Sequence, residues 1–116
     1  MKTILVVEDN KDYQDLLVRR LTKEGYTTTT ADNGEKAEEI LKKAKIDLIL
    51  LDLLMPEEDG VSFYYKLTHI LKKDIPVIVL TNVTDAAGFG KDVKDVLIKA
   101  NVSMDEVVEK VGQYLR

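Results

Sequence analysis

No cysteine occurs in the 116 residues, so neither a disulfide framework nor a thiolate metal site can form, and a cytoplasmic setting is expected. No apolar run exceeds the length of a strand, which excludes a helix that crosses a membrane. A basic cluster is missing as well. The net charge is −4 and Lys and Arg are scattered among Asp and Glu, whereas direct contact with nucleic acid normally needs a basic stripe. Met1-Lys2-Thr3 leads straight into a strand pattern, leaving no room for a signal peptide. No linker, repeat or low-complexity stretch interrupts the chain. One domain over 1–116 is expected, long enough to bury a core and without an output domain after Arg116.

Strand and helix patterns alternate from end to end. Ile4–Val7, Leu48–Leu51 within an expected strand Asp47–Leu51, and Val77–Leu80 are apolar runs of the kind buried on both faces of a parallel sheet, and Val96–Ile98 is a shorter one. Tyr26–Ala31 is Thr-rich and β-branched but less apolar, which predicts an edge strand. A helix is predicted from Asn10 to Lys23, with Tyr13, Leu16, Leu17 and Leu21 on one face and Gly25 ending it. After the turn Asp32-Asn33-Gly34, a second helix presents Ala37, Ile40, Leu41 and Ala44. A third, over about 59–72, buries Phe63, Leu67, Ile70 and Leu71. The last opens with the capping box Ser103-Met104-Asp105-Glu106 and buries Met104, Val107, Val108, Val111 and Leu115. The weakest element is Thr84–Asp95, where Gly88 and Gly90 each cost about 1 kcal/mol in a helix. The sum is a parallel sheet with helices on both faces.

Chemistry-bearing residues fall at the carboxyl ends of these strands, where open α/β sheets bind ligands. Glu8 and Asp9 follow the first strand, Asp52 the third and Lys99 the fifth, while Thr81 ends the fourth. Three acids suit a hard divalent cation such as Mg²⁺, which takes oxygen ligands. Bland alternatives exist for each. Asp9 would cap the first helix, Glu8 and Lys99 would be solvated, and Thr81 would be a turn residue. Asp52 resists such a reading, because Pro56 keeps the chain extended beyond it and the next helix starts later. The charges also fit together: a divalent cation and Lys99 would balance the three carboxylates. Without the cation a phosphoryl donor would meet three negative charges, so metal is expected to be obligatory.

From Ile4-Leu5-Val6-Val7-Glu8-Asp9-Asn10 through D-x-x-M-P-x-x-D-G at 52–60 to Thr81 and Lys99, the chain resembles a receiver domain of the two-component response regulators. The resemblance covers the whole length. It implies a doubly wound, flavodoxin-like sheet of five parallel strands in the order 2-1-3-4-5. It implies that Asp52 accepts a phosphoryl group from a sensor histidine kinase or a phosphotransfer protein, with Thr81 and Lys99 contacting the phosphoryl oxygens. Asp9, Asp52 and the Leu54 backbone carbonyl would hold Mg²⁺, for which Mn²⁺ can substitute, with Glu8 acting through water. The chain would catalyse its own phosphorylation and dephosphorylation without being an enzyme in the usual sense. A downstream effector or output domain is implied but not identified, and the chain would be a monomer or a weak, phosphorylation-dependent homodimer.

Three departures stand out. Val96 occupies the position of an aromatic residue that normally swings inward with the threonine, so output is expected through a face built from Thr84–Asp95, the fifth strand and the last helix. Ala100 follows Lys99 where proline is usual; a cis bond there would cost about 2.5–4 kcal/mol, so a trans bond is expected. The stretch from Thr81 to Lys99 is about one helical turn short, and Asn82 replaces an alanine. Among competing readings, a haloacid-dehalogenase-type phosphatase would need a second Asp at position 54, which is Leu54. A flavodoxin-like nucleotide binder is disfavoured by the acidic turn Glu8-Asp9-Asn10-Lys11-Asp12, and Gly88-Phe89-Gly90-Lys91 lacks the context of a phosphate loop. A pseudo-receiver is at odds with the intact acidic set.

Overall fold

In β1, Thr3–Val7, successive side chains point to opposite sides, and both sides are apolar: Leu5 and Val7 enter one core while Ile4 and Val6 enter another. β3 (Leu48–Leu51) and β4 (Val77–Thr81) repeat this division, with Ile49, Leu51, Val77 and Val79 on the first side and Leu48, Leu50, Ile78 and Leu80 on the second. Strands that are apolar on both faces can be accommodated only inside a sheet covered twice. The computed structural model of the protein describes residues 1–52, 63, 65–66, 74–82 and 95–115. With β2 at Thr27–Ala31 and β5 at Asp95–Ile98, the strands run in the order β2-β1-β3-β4-β5, every pairing parallel. The Thr-rich β2 forms one edge and the half-buried β5 the other.

Two helices cover the second core. α1 (Lys11–Lys23) contributes Leu17 and Leu21, and the last helix, Met104–Leu115, contributes Val107 and Val111. The first core is closed by Ala37 and Leu41 of α2 (Gly34–Lys43) and by Phe63, which is helical and fully buried. Leu67, Ile70 and Leu71, expected on the same helix, lie outside the described residues, as do 84–94 with Gly88 and Gly90.

Helix ends follow the local signals. Gly25, at φ 98, donates its N–H to Thr22 O at 3.0 Å, while Tyr26 N–H reaches Leu21 O at 3.1 Å. This pair of bonds satisfies the last carbonyls of α1. The expected capping box is present: Glu106 N–H donates to Ser103 Oγ at 3.2 Å and Ser103 N–H to Glu106 Oε1 at 3.3 Å. Arg20 of α1 pairs with Asp105 at 2.6 Å and joins the two helices of this face.

Three details differ from expectation. Leu16 is 48 % exposed, because the buried stripe of α1 runs through Gln14, Leu17 and Leu21 and leaves Leu16 to one side. Ala44 is the extended C-cap of α2 rather than part of its face, and Ile46 fills the first core instead. Gly34 is the first residue of α2, not part of the turn; Asn33 caps the helix by accepting from Lys36 N–H at 2.9 Å.

Candidate functional site

Beyond the last residues of β1 and β3 the ladder continues for one more step. Glu8 N–H donates to Ala31 O and Asp52 N–H to Val7 O, both at 3.0 Å. These bonds fix two backbones side by side on the crest, so their carboxylates converge. Glu8 is 2 % and Asp52 7 % exposed, and Asp9 stands at the exposed rim. One carboxylate oxygen from each of Glu8, Asp9 and Asp52 lies within 4.8 Å of the other two. Thr81, the last residue of β4, is fully buried beside Ile98, the residue before Lys99. Lys99 opens a short 3₁₀ turn, Lys99–Asn101, directly after β5. The five predicted side chains described here are thus delivered to one edge by four strands. Leu54 lies outside the described residues.

Lys99 is the counter-ion of this cluster. Its ammonium donates to Glu8 and, at 3.2 Å, to Asp52 Oδ2, and its side chain is only 12 % exposed. It also lies 4.4 Å from the centre of the Tyr13 ring. Burial works against its charge, but the hydrogen bond to Glu8 and the Asp52 carboxylate outweigh that cost and raise its pKa. Burial likewise pushes the Glu8 carboxyl up, with Asp52 adding to the rise; the hydrogen bonds from Lys99 and from Asn10 N–H, the latter at 3.1 Å, oppose it. The bland readings fail on these facts. Neither Glu8 nor Lys99 is a solvated charge, and α1 is capped by Asn10, whose Oδ1 accepts from Tyr13 N–H at 3.0 Å, rather than by Asp9.

Two supporting interactions were not read from the sequence. Gln14 is 4 % exposed and donates to Glu8 O at 2.9 Å and to Asp32 Oδ1 at 3.2 Å, holding the turn that carries Glu8 and Asp9. The available signal was a polar residue three and seven positions before Leu17 and Leu21, on the stripe that goes into the core; buried polar groups there are hydrogen-bonded. The second interaction joins two of the departures. Ala100 N–H donates to Asn82 Oδ1 at 3.2 Å, tying the neighbour of Thr81 to the neighbour of Lys99. Proline at 100 would lack that donor. No cis peptide bond occurs among the described residues.

Asp32 sits beside the cluster and accepts from Lys11 at 2.9 Å, Gln14 at 3.2 Å and Lys36 at 3.4 Å. The Lys11 and Gln14 hydrogen bonds, chiefly, hold its pKa down to about 2, against an ordinary 3.8. The folded carboxyl therefore releases its proton more readily than the unfolded one. The stabilisation is complete above the ordinary value and is lost as pH falls toward about 2. The side chain is 35 % exposed, so solvent screening limits the effect. Asp32→Asn is expected to cost less than about 1 kcal/mol at neutral pH and to flatten the acid limb of stability. Urea unfolding between pH 7 and pH 2 measures both.

The family model described as the response regulator receiver domain matches residues 4–112. Among similar proteins is the response regulator receiver protein CpdR of Brucella abortus, 38 % identical over 87 residues, which are 75 % of this chain and 72 % of that one. The transcriptional regulatory protein ResD of Bacillus subtilis is 38 % identical over 117 residues and matches 97 % of this chain. Among solved structures, response regulator TrrA of Thermotoga maritima, in complex with Mg(2+)-BeF, superimposes with a TM-score of 0.85 at 33 % identity, covering 98 % of this chain and 99 % of its own. The chain belongs to the receiver domains of two-component response regulators. It spans 48 % of ResD, and 32 % of a probable transcriptional regulator ycf27 of Cyanidium caldarium to which it is 40 % identical over 82 residues.

Proposed function

We propose that the chain is a phosphoacceptor that takes a phosphoryl group onto Asp52 from a histidine kinase or phosphotransfer protein. The observation that carries this reading is the convergence of Asp52 with Glu8, Asp9 and the Lys99 ammonium at the carboxyl end of the sheet. A carboxylate oxygen of Asp52 attacks the phosphorus of a phosphohistidine. The P–O bond forms as the P–N bond breaks, and the electron pair of that bond stays on the imidazole nitrogen. Lys99, already 3.2 Å from Asp52, neutralises charge on the transferred group, and the buried Thr81 offers its hydroxyl from the neighbouring strand. The chain is in this reading its own catalyst and its own substrate rather than an enzyme for a separate one.

Glu8, Asp9 and Asp52 form an all-oxygen donor set of three converging carboxylates and so fit a hard divalent cation. They would hold Mg²⁺, or Mn²⁺ in its place; the Leu54 carbonyl is added to that set by the resemblance alone. When bound, the ion supplies positive charge that lets a phosphoryl group approach three carboxylates. We assign output to 84–95 together with β5 and the last helix. Support comes from the described part of that face, where Tyr114 donates to Asp95 and Lys110 pairs with it at 3.2 Å, so that β5 and the last helix are joined. Val96 packs against the first core and carries no ring that could swing.

The test is incubation with acetyl phosphate, with and without Mg²⁺, read by intact mass. A single phosphoryl adduct is expected with Mg²⁺ and none after EDTA. In a parallel sample with beryllofluoride and Mg²⁺, amide exchange over 83–95 should slow. An adduct that forms equally well in EDTA would contradict the metal assignment, and unchanged exchange over 83–95 would contradict the output face.

A further inference from the structure

The Tyr13 ring has no assigned part in phosphoryl chemistry, yet it forms one wall of the Lys99 environment. Tyr13 stands on the first turn of α1, half-buried, with its side chain packed against the second core. Lys99 Nζ lies 4.4 Å from the ring centre while it donates to Glu8 and Asp52. The ammonium is therefore held from three directions, two of them carboxylates and the third the negative face of an aromatic ring.

The geometry points to Tyr13 as a positioning residue for Lys99, one that keeps the ammonium aimed at Asp52 when the carboxylates turn to other charges. This inference rests on the phosphoacceptor reading. Glu8 and Asp52 are also the donors suited to a divalent cation, and whatever part of their charge is drawn to such a cation is lost to Lys99. The face of the ring does not compete in that way, because hard cations take oxygen ligands and leave the π-face alone. Its attraction for an ammonium is greatest where water is excluded, and Lys99 is 12 % exposed. A four-carbon stem released from both carboxylates has many rotamers, and the ring restricts them before the phosphoryl group arrives.

The test uses the full chain with Tyr13→Leu, which stays apolar and loses the π-face, and Tyr13→Phe, which keeps the face and loses the hydroxyl. Three quantities are measured: the Lys99 ε-methylene proton shift, Mg²⁺ affinity by NMR titration, and the rate constant of labelling by acetyl phosphate at saturating Mg²⁺. Tyr13→Leu is expected to move the Lys99 shift downfield, as ring shielding is lost, and to lower the rate constant about five- to twentyfold. Mg²⁺ affinity should stay within about twofold. Tyr13→Phe should restore both the shift and the rate. In a Lys99→Ala background Tyr13→Leu should add nothing further, because the ring acts only through the ammonium. If the leucine variant does not fold, Tyr13→Met, which fills irregular gaps, is read in the same way. An unmoved Lys99 shift, an equal loss in Tyr13→Phe, or an undiminished loss in the Lys99→Ala background overturns the assignment. Absence of any wild-type adduct would refute the phosphoacceptor reading instead, and the Lys99 shift would still decide the contact with Tyr13.

Discussion

Asp52→Ala is expected to abolish labelling by acetyl phosphate, leaving no hydroxylamine-labile adduct at any Mg²⁺ concentration. Among the described residues, Asp52 is the one carboxylate that is buried, lies within 3.2 Å of the Lys99 ammonium, and follows the central strand β3 directly. Glu8 is buried too, but its carboxylate turns back to accept from Asn10 N–H at 3.1 Å, so it is held by its own turn. Asp9 is exposed and sits at the rim. Loss of labelling must be separated from loss of fold. Removing Asp52 relieves repulsion among three clustered acids and still leaves Glu8 as a partner for Lys99, so the thermal midpoint should hold or rise. A labelled alanine variant, or a midpoint lowered by many degrees, would sink the assignment.

Lys99→Ala should have the second largest effect, with opposite signs on two measurements. The ammonium now neutralises part of the charge that would attract a divalent cation, so its removal should tighten Mg²⁺ binding about tenfold, or about 1.4 kcal/mol. The same ammonium stabilises charge that appears on the phosphoryl oxygens, and removing one such donor typically costs about 10²-fold or more in rate. Labelling at saturating Mg²⁺ should slow by that order. NMR titration gives the first quantity and quenched mass spectrometry the second. A collapse of metal affinity would show that Lys99 instead holds Glu8 and Asp52 in place.

The architecture was legible because hydrophobic patterning carried it. Four-residue apolar runs have room only in the middle of a doubly covered sheet, and the Thr-rich Tyr26–Ala31 only at an edge. The capping box at Ser103 and the glycine at 25 are legible in the sequence because each acts through neighbours within a few residues. Periodicity groups Leu16 with Tyr13, Leu17 and Leu21 and leaves out Gln14, since it registers hydrophobicity but not a buried amide satisfied by Glu8 O.

From the sequence alone it was determined which groups reach the crest, since a residue that follows a parallel strand has no other place to go: Glu8, Asp9, Asp52, Thr81 and Lys99. The tertiary structure decided how those groups are partnered. Lys99 pairs with Glu8 across 91 positions, and the Asn82–Ala100 bond spans 18. Tyr13, which reads in the sequence as one more core residue of a helix, turns out to face an ammonium from the opposite end of the chain. Such contacts depend on the order of the strands and on the direction in which α1 leaves β1. Local pattern does not encode them, because each partner fits its own segment equally well with or without the other.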